Sequence, residues 1–272
     1  MEEVKHGSII VTGASGSMGK AAVKALAAEG RSVVMACRNL QKGEEARREI
    51  LAQVPGAALT LLPLDLGSIR SIRDFAAAVR DSAPAGLLNN AGTMPRHFAL
   101  TEDGFETTIA VNYVGPYLLT RLLLDHFSPD AHIVNVISLS AKYVSIDRDL
   151  LRKGPEDFGQ IRTYAASKLA LMLFSIELAR RASLHVNMSD PGVVDTGIIH
   201  MDRWFDPLAD AVFRPFCKRP EQGAAPAISA LESTQTMKIF KGNQCLDVKE
   251  RYLKHPLADY LWQQTADMTG LK

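Results

Sequence analysis

Short apolar or β-branched runs alternate with helical stretches along most of this chain of 272 residues. The runs are Ser8–Val11, Ser32–Cys37, Leu59–Leu64, Gly86–Leu88, Ala131–Ser138 and Leu184–Met188. Between them the pattern predicts helices at about Met18–Glu29, Gln41–Gln53, Ser68–Arg80, Thr101–Phe127 and Thr163–Ala182, with Ser68 as an N-cap and Gly30 just past a helix end. Continuously apolar strands alternating with helices make a parallel sheet covered on both faces, joined by right-handed crossovers. The expectation is an α/β chain with a doubly wound parallel sheet of about seven strands.

No internal repeat, low-complexity tract or polar linker divides the chain, so residues 1–272 are read as a single domain. The stretch Val193–Arg219 breaks the alternation. It carries Trp204, Phe205, Phe213 and Phe216 and is read as an excursion from the sheet bordering the substrate.

Charge and cysteine content exclude several classes. Lys and Arg number 31 against 30 Asp and Glu, a net charge of +1 with no long basic run. Such a chain has no general electrostatic means of holding nucleic acid or an anionic membrane. Cys37, Cys217 and Cys245 are odd in number and far apart, which fits neither a disulfide framework nor a zinc site, and no metal is expected. The polar start is unlike a signal peptide, and no apolar run approaches the ~18 residues of a membrane span. A cytoplasmic enzyme without an integral membrane segment is the expectation.

In an open parallel sheet, ligands bind outside the carboxyl ends of the strands. Those ends carry Thr12 to Gly19, then Arg38-Asn39, Asp65-Leu66, Asn89-Asn90-Ala91-Gly92, Ser138 and Asp190-Pro191-Gly192. One such cluster is ordinary turn chemistry; six in succession mark one edge as a site. The glycine-rich turn after the first strand opens a helix, where backbone N–H groups and the helix dipole suit a pyrophosphate. Tyr164 and Lys168 lie four apart, on one face of a predicted helix. A Tyr near pKa ~10 is a poor base at neutral pH, and an adjacent ammonium favours its phenolate.

At these residues the chain resembles the short-chain dehydrogenase/reductase family, over roughly Gly7 to Thr196. The resemblance implies a Rossmann-type fold and hydride transfer between a nicotinamide cofactor and a carbonyl or alcohol. It assigns Asn112, Ser138, Tyr164 and Lys168 as catalytic. It gives the cofactor Gly13, Ser15, Gly16, Ser17, Met18 and Gly19, then Arg38, Asn39, Asp65 and Leu66. To these it adds Asn90, Ala91, Gly92, Tyr164, Lys168, Pro191, Gly192, Val193 and Thr196. In that scheme Tyr164 is the acid or base, Lys168 lowers its pKa, Ser138 binds the substrate oxygen and Asn112 holds a relaying water. The motif Ala36-Cys37-Arg38-Asn39, Gly43-Glu44, Asp103 to Glu106 and the long gap from Ser138 to Tyr164 most resemble the retinol dehydrogenase and protochlorophyllide reductase branch. Three positions depart from the pattern: Ser17 replaces the middle glycine, Ile137 precedes Ser138, and Asp190 precedes Pro191.

Enzymes that choose NAD commonly end the second strand in Asp or Glu. Here Cys37 stands there, followed by Arg38, whose guanidinium suits a 2′-phosphate. Ser15 and the more distant Lys42 could assist. The expected cofactor is therefore NADP(H), and the aromatic excursion predicts a bulky apolar small-molecule carbonyl or alcohol substrate. A non-catalytic NADP(H) sensor or scaffold, and a peripheral membrane enzyme, are the alternatives. The apolar helices Thr101–Phe127 and Thr163–Ala182 suit either a homodimer interface or a monomer core.

Overall fold

A computed structural model describes residues 4–194 and 218–271. Eight strands form one sheet in the order β3-β2-β1-β4-β5-β6-β7-β8. They are β1 (Ile9–Thr12), β2 (Val33–Cys37), β3 (Leu59–Pro63), β4 (Gly86–Asn89), β5 (His132–Val136), β6 (His185–Asp190), β7 (Lys238–Lys241) and β8 (Gln244–Asp247). Every neighbouring pair is parallel except β7 with β8. The order runs one way from β1 to β3 and reverses at β4, which places a crevice above β1 and β4.

Alternate side chains of a strand point to opposite faces, and β1 feeds both. Ile9 and Val11 pack with α1 (Ser17–Ala28), α2 (Leu40–Gln53) and α6 (Pro220–Leu231). Ile10 packs with α3 (Ile69–Val79) and α4 (Gly115–Leu123). The same second face carries α5 (Gln160–Arg181) and α7 (Ala258–Thr269) farther along. Ser68 does cap α3, its hydroxyl accepting from the Ser71 N–H at 3.3 Å.

The structure departs from the expected helix at Thr101–Phe127. Leu100 and Glu106 form a β-bridge around Gly104, whose φ of +81° suits glycine. One α turn follows at Thr107–Ile109, then a π-turn at Ala110–Val114, then α4. Two strands, β7 and the edge strand β8, had no counterpart among the six apolar runs.

Both long apolar helices are covered by the chain itself. Residues Ala165 to Leu178 of α5 are all buried. The Trp262 ring of α7 stacks on Phe174 with centroids 5.8 Å apart and meets Tyr117 edge-on at 5.5 Å. Tyr117 donates its hydroxyl to the Trp262 carbonyl at 2.8 Å, and the Arg121 guanidinium stands 4.5 Å from the Trp262 ring. These faces of α4 and α5 therefore belong to the core of one chain.

Candidate active site

A cavity of about 710 Å³ opens at the carboxyl ends of β1 to β4. It is lined by Gly13, Ser15 to Gly19, Arg38, Asn39, Asp65, Leu66 and Asn90 to Gly92. Thr12, Leu40, Lys42, Leu64, Thr93 and Val111 also line it. Of these, Leu40, Leu64, Thr93 and Val111 were missed as site residues. Each adjoins a motif residue: Leu40 follows Asn39, Leu64 precedes Asp65, Thr93 follows Gly92 and Val111 precedes Asn112.

Thr12 joins β1 to β4 at the back of this cavity. Its hydroxyl accepts from the N–H groups of Asn90 and Ala91, both at 3.0 Å, while the Asn90 side-chain amide donates to the Thr12 carbonyl at 2.8 Å. The backbone is drawn so close that side chains would not fit. A Cβ on Gly13, whose φ is +64°, would sit 2.9 Å from the Ala91 Cα. One on Gly19 would meet the Gly13 carbonyl oxygen and the Asn90 amide.

The residues fit a dinucleotide on three counts. The start of α1 has no side-chain cap, so its first N–H groups are available to an anion. The Ser17 hydroxyl is buried without a hydrogen-bond partner, an orphan donor that a phosphate oxygen would satisfy. Arg38 and Lys42 are exposed cations on one wall. Cys37, the last residue of β2, is buried beside Arg38. Burial pushes its thiol up, and the Ser15 hydroxyl opposes this.

The second cluster sits beyond Gly92. A Cβ there would lie 3.6 Å from Asn112 Oδ1 and 3.7 Å from Lys168 Nζ, which therefore flank one glycine. Asn112, fully buried, occupies the π-turn. Its Oδ1 accepts from Thr93 N–H at 2.8 Å, and its Nδ2 donates to the Thr93 carbonyl at 2.9 Å and to Ser167 Oγ at 3.0 Å. Both amide hydrogens are thus committed to the protein. Lys168 is buried and donates to the Val136 carbonyl at 2.7 Å, at the end of β5. Its burial brings its pKa down to about 8.

Ser138 and Tyr164 share a hydrogen bond. Ser140, another residue missed, donates to Ser138 Oγ at 3.0 Å, and its N–H approaches the same oxygen at 3.3 Å. The Ser-Leu-Ser spacing at 138–140 was the available signal. Tyr164 differs from expectation. Burial is the largest influence and raises its pKa; the Ser138 bond opposes that, and the charge of Asp190 adds to it. The Lys168 ammonium lies 5.8 Å from the Tyr164 ring centroid and is engaged by Val136. Its expected lowering of the phenol is not expressed in this arrangement, where burial is the largest influence.

Pro191, Gly192 and Val193 follow β6. The Pro191 carbonyl accepts from Lys218 Nζ at 3.2 Å, and Val193 accepts from the Lys218 N–H at 2.9 Å. Thr196, with Trp204, Phe205, Phe213 and Phe216, lies outside the described residues. The segment after Ser138 lines a separate cavity of about 380 Å³ with Phe98, Ile146, Leu150, Phe158 and Arg162, one that neither Ser138 nor Tyr164 lines.

A parallel sheet with this crossover, a glycine cradle and a Ser–Tyr–Lys cluster defines a class. A family profile described as short chain dehydrogenase matches residues 7–203, and the chain belongs to that family of nicotinamide-dependent oxidoreductases acting on CH–OH and C=O groups. Within it, the chain falls in the retinol dehydrogenase branch. Retinol dehydrogenase 13 of Homo sapiens is 33% identical over 97% of this chain and 85% of its own length. Retinol dehydrogenase 11 of Homo sapiens is 34% identical over 97% and 86%. A crystal structure of an uncharacterised protein from Mycobacterium paratuberculosis matches with a TM-score of 0.78 at 27% identity, covering 99% of this chain and 97% of that one. A short-chain dehydrogenase from Sphingobium yanoikuyae in complex with NADPH shares the fold, with a TM-score of 0.68 at 19% identity over 96% and 93% of the two chains. Among the described residues, no helix is long and apolar enough to cross a membrane.

Proposed function

We propose that this chain is an NADP(H)-dependent oxidoreductase that transfers a hydride between the nicotinamide and a bulky apolar carbonyl or alcohol. The observation that carries the reading is the hydrogen-bonded Ser138–Tyr164 pair beside buried Lys168, next to a cavity built like a dinucleotide cradle.

When bound, the cofactor supplies or accepts the hydride. Ser138, held by Ser140, hydrogen-bonds the substrate oxygen where charge develops. Tyr164 donates its proton to that oxygen in reduction and removes it in oxidation. Lys168, the nearest buried ammonium, re-supplies or accepts the proton and reaches the cofactor ribose. Asn112 ties the π-turn to Thr93 and Ser167, and so fixes the floor on which Lys168 stands. The uncapped start of α1 and Ser17 bind the pyrophosphate, and Asp65 the adenine end. Arg38 grips the 2′-phosphate that Cys37 does not repel. Pro191, Gly192, Val193 and Thr196 hold the carboxamide.

The apolar substrate is supported by Leu139, Ile161 and Val193, exposed apolar side chains within three residues of Ser138, Tyr164 and Asp190. A panel of carbonyls and alcohols, followed by cofactor absorbance, tests the reading. Bulky apolar aldehydes or ketones should give the higher kcat/KM with NADPH, and a preference for small polar carbonyls would refute it.

A further inference from the structure

Asp190 is the last residue of β6 and is 2% exposed. It lies two positions after Met188, which packs in the same cluster as α5, so its side chain faces the helix that carries Tyr164 and Lys168. One oxygen, Oδ1, accepts from the Gly192 N–H at 3.1 Å. The other, Oδ2, is buried with no hydrogen-bond partner. Among the described residues, four charged or titratable groups stand on the neighbouring strand, turn and helix. Lys241, its register partner on β7, brings Nζ to 3.9 Å from Oδ2, outside hydrogen-bond reach. Lys218 spends its ammonium on the Pro191 carbonyl. Lys168 spends its own on Val136. Tyr164 is the fourth, and the Asp190 charge acts on its hydroxyl.

A buried carboxylate with one hydrogen bond is costly to keep. The turn to Gly192 does not require it, since Asn or Ser would accept the same N–H. The charge itself therefore calls for a function. We propose that Asp190 biases this site toward carbonyl reduction: its buried carboxylate, with one oxygen unpartnered and facing the helix of Tyr164 and Lys168, favours a cationic oxidised cofactor over a neutral reduced one. The inference rests on the oxidoreductase reading above. Reduction moves a hydride from the cofactor to the carbonyl carbon and the Tyr164 proton to its oxygen. The hydride leaves a cationic ring behind, and Lys168 re-supplies the Tyr164 proton from solvent. The ring must approach within ~3.5 Å of the carbon whose oxygen Ser138 and Tyr164 hold, so the Asp190 charge acts on it also. Oxidation instead needs the phenolate as base, which a neighbouring anion opposes.

Asp190→Asn keeps the acceptor and removes the charge. Its alkaline limb for alcohol oxidation should move down by about one pH unit. The ratio Kd(NADP⁺)/Kd(NADPH), measured by fluorescence titration without substrate, should rise roughly tenfold. Lys241→Met, a change at a half-exposed side chain, should move both quantities the opposite way, and it serves if the Asn variant does not fold. The affinity ratio separates this inference from the reading beneath it. A chain that oxidises and reduces nothing refutes the oxidoreductase, while a ratio that moves still supports the charge acting on the cofactor. A fixed limb and a fixed ratio in the folded variants overturn the role of Asp190.

Discussion

Thr12 and Asn90 hold each other across the gap between β1 and β4, each using both backbone and side chain. Thr12 is wholly buried, and its hydroxyl is the acceptor for two consecutive N–H groups. Thr12→Val keeps the shape and removes that acceptor. Stability should fall by about 1–3 kcal/mol, and cofactor affinity with it, because Ala91 is the atom group against which Gly13 packs. Urea unfolding with and without NADPH checks this; an unchanged midpoint would remove Thr12 from the account.

Tyr164→Phe tests the chemistry. Turnover should drop ~10²-fold or more, while the affinity for NADPH stays nearly as it was. Near wild-type turnover on a confirmed substrate would end the assignment.

Arg38→Ala tests cofactor choice. A hydrogen bond to a charged group contributes ~1.5–3 kcal/mol, so NADPH affinity should weaken roughly ten- to a hundredfold with NADH little changed. Adding Cys37→Asp should reverse the preference, since a carboxylate there accepts from a ribose hydroxyl and repels a phosphate. Because Arg38 is exposed, the wild-type preference should shrink as salt rises. Equal affinities for the two cofactors in the wild type would refute the role of Arg38.

Lys168 links stability to pH. Burial lowers its pKa from 10.5 to about 8, so below pH 8 the folded chain carries a buried ammonium that the unfolded chain would hydrate. As pH rises the folded state releases that proton first, and the burden lifts between about 8 and 10.5. The change is of the order of 3 kcal/mol. Lys168→Met should therefore lose stability relative to wild type across that window, although it is inactive throughout. Parallel melts at pH 7.5, 9 and 10 would reveal a gap that changes in favour of the wild type; a constant gap would contradict the lowered pKa.

Much of the fold and the site is legible in the sequence. Strands β1 to β6 announce themselves because a parallel strand is apolar on both faces, and Ile9, Ile10 and Val11 feed two separate clusters. The cavity residues were legible because turns at strand ends write their glycines and amides into the sequence. Strands β7 and β8 were not: in Lys-Ile-Phe-Lys only Ile239 and Phe240 are apolar, one for each face, and Gln-Cys-Leu-Asp at the edge is exposed throughout. The π-turn at Ala110–Val114 was hidden because all but Val111 of its residues, Asn112 included, are buried, so no polar face marks the change of turn. The state of Tyr164 was also beyond spacing: four residues place Lys168 near it, but burial and Asp190, 26 positions away, decide its proton.

The aromatic contact between Trp262 and Phe174 has a consequence for how the protein behaves on dilution. Tyr164 and Lys168 stand on α5, and the outer wall of that helix is supplied by α7 of the same chain. Mass action has no hold on a contact within one molecule. The support that α7 gives α5 should therefore hold at any protein concentration.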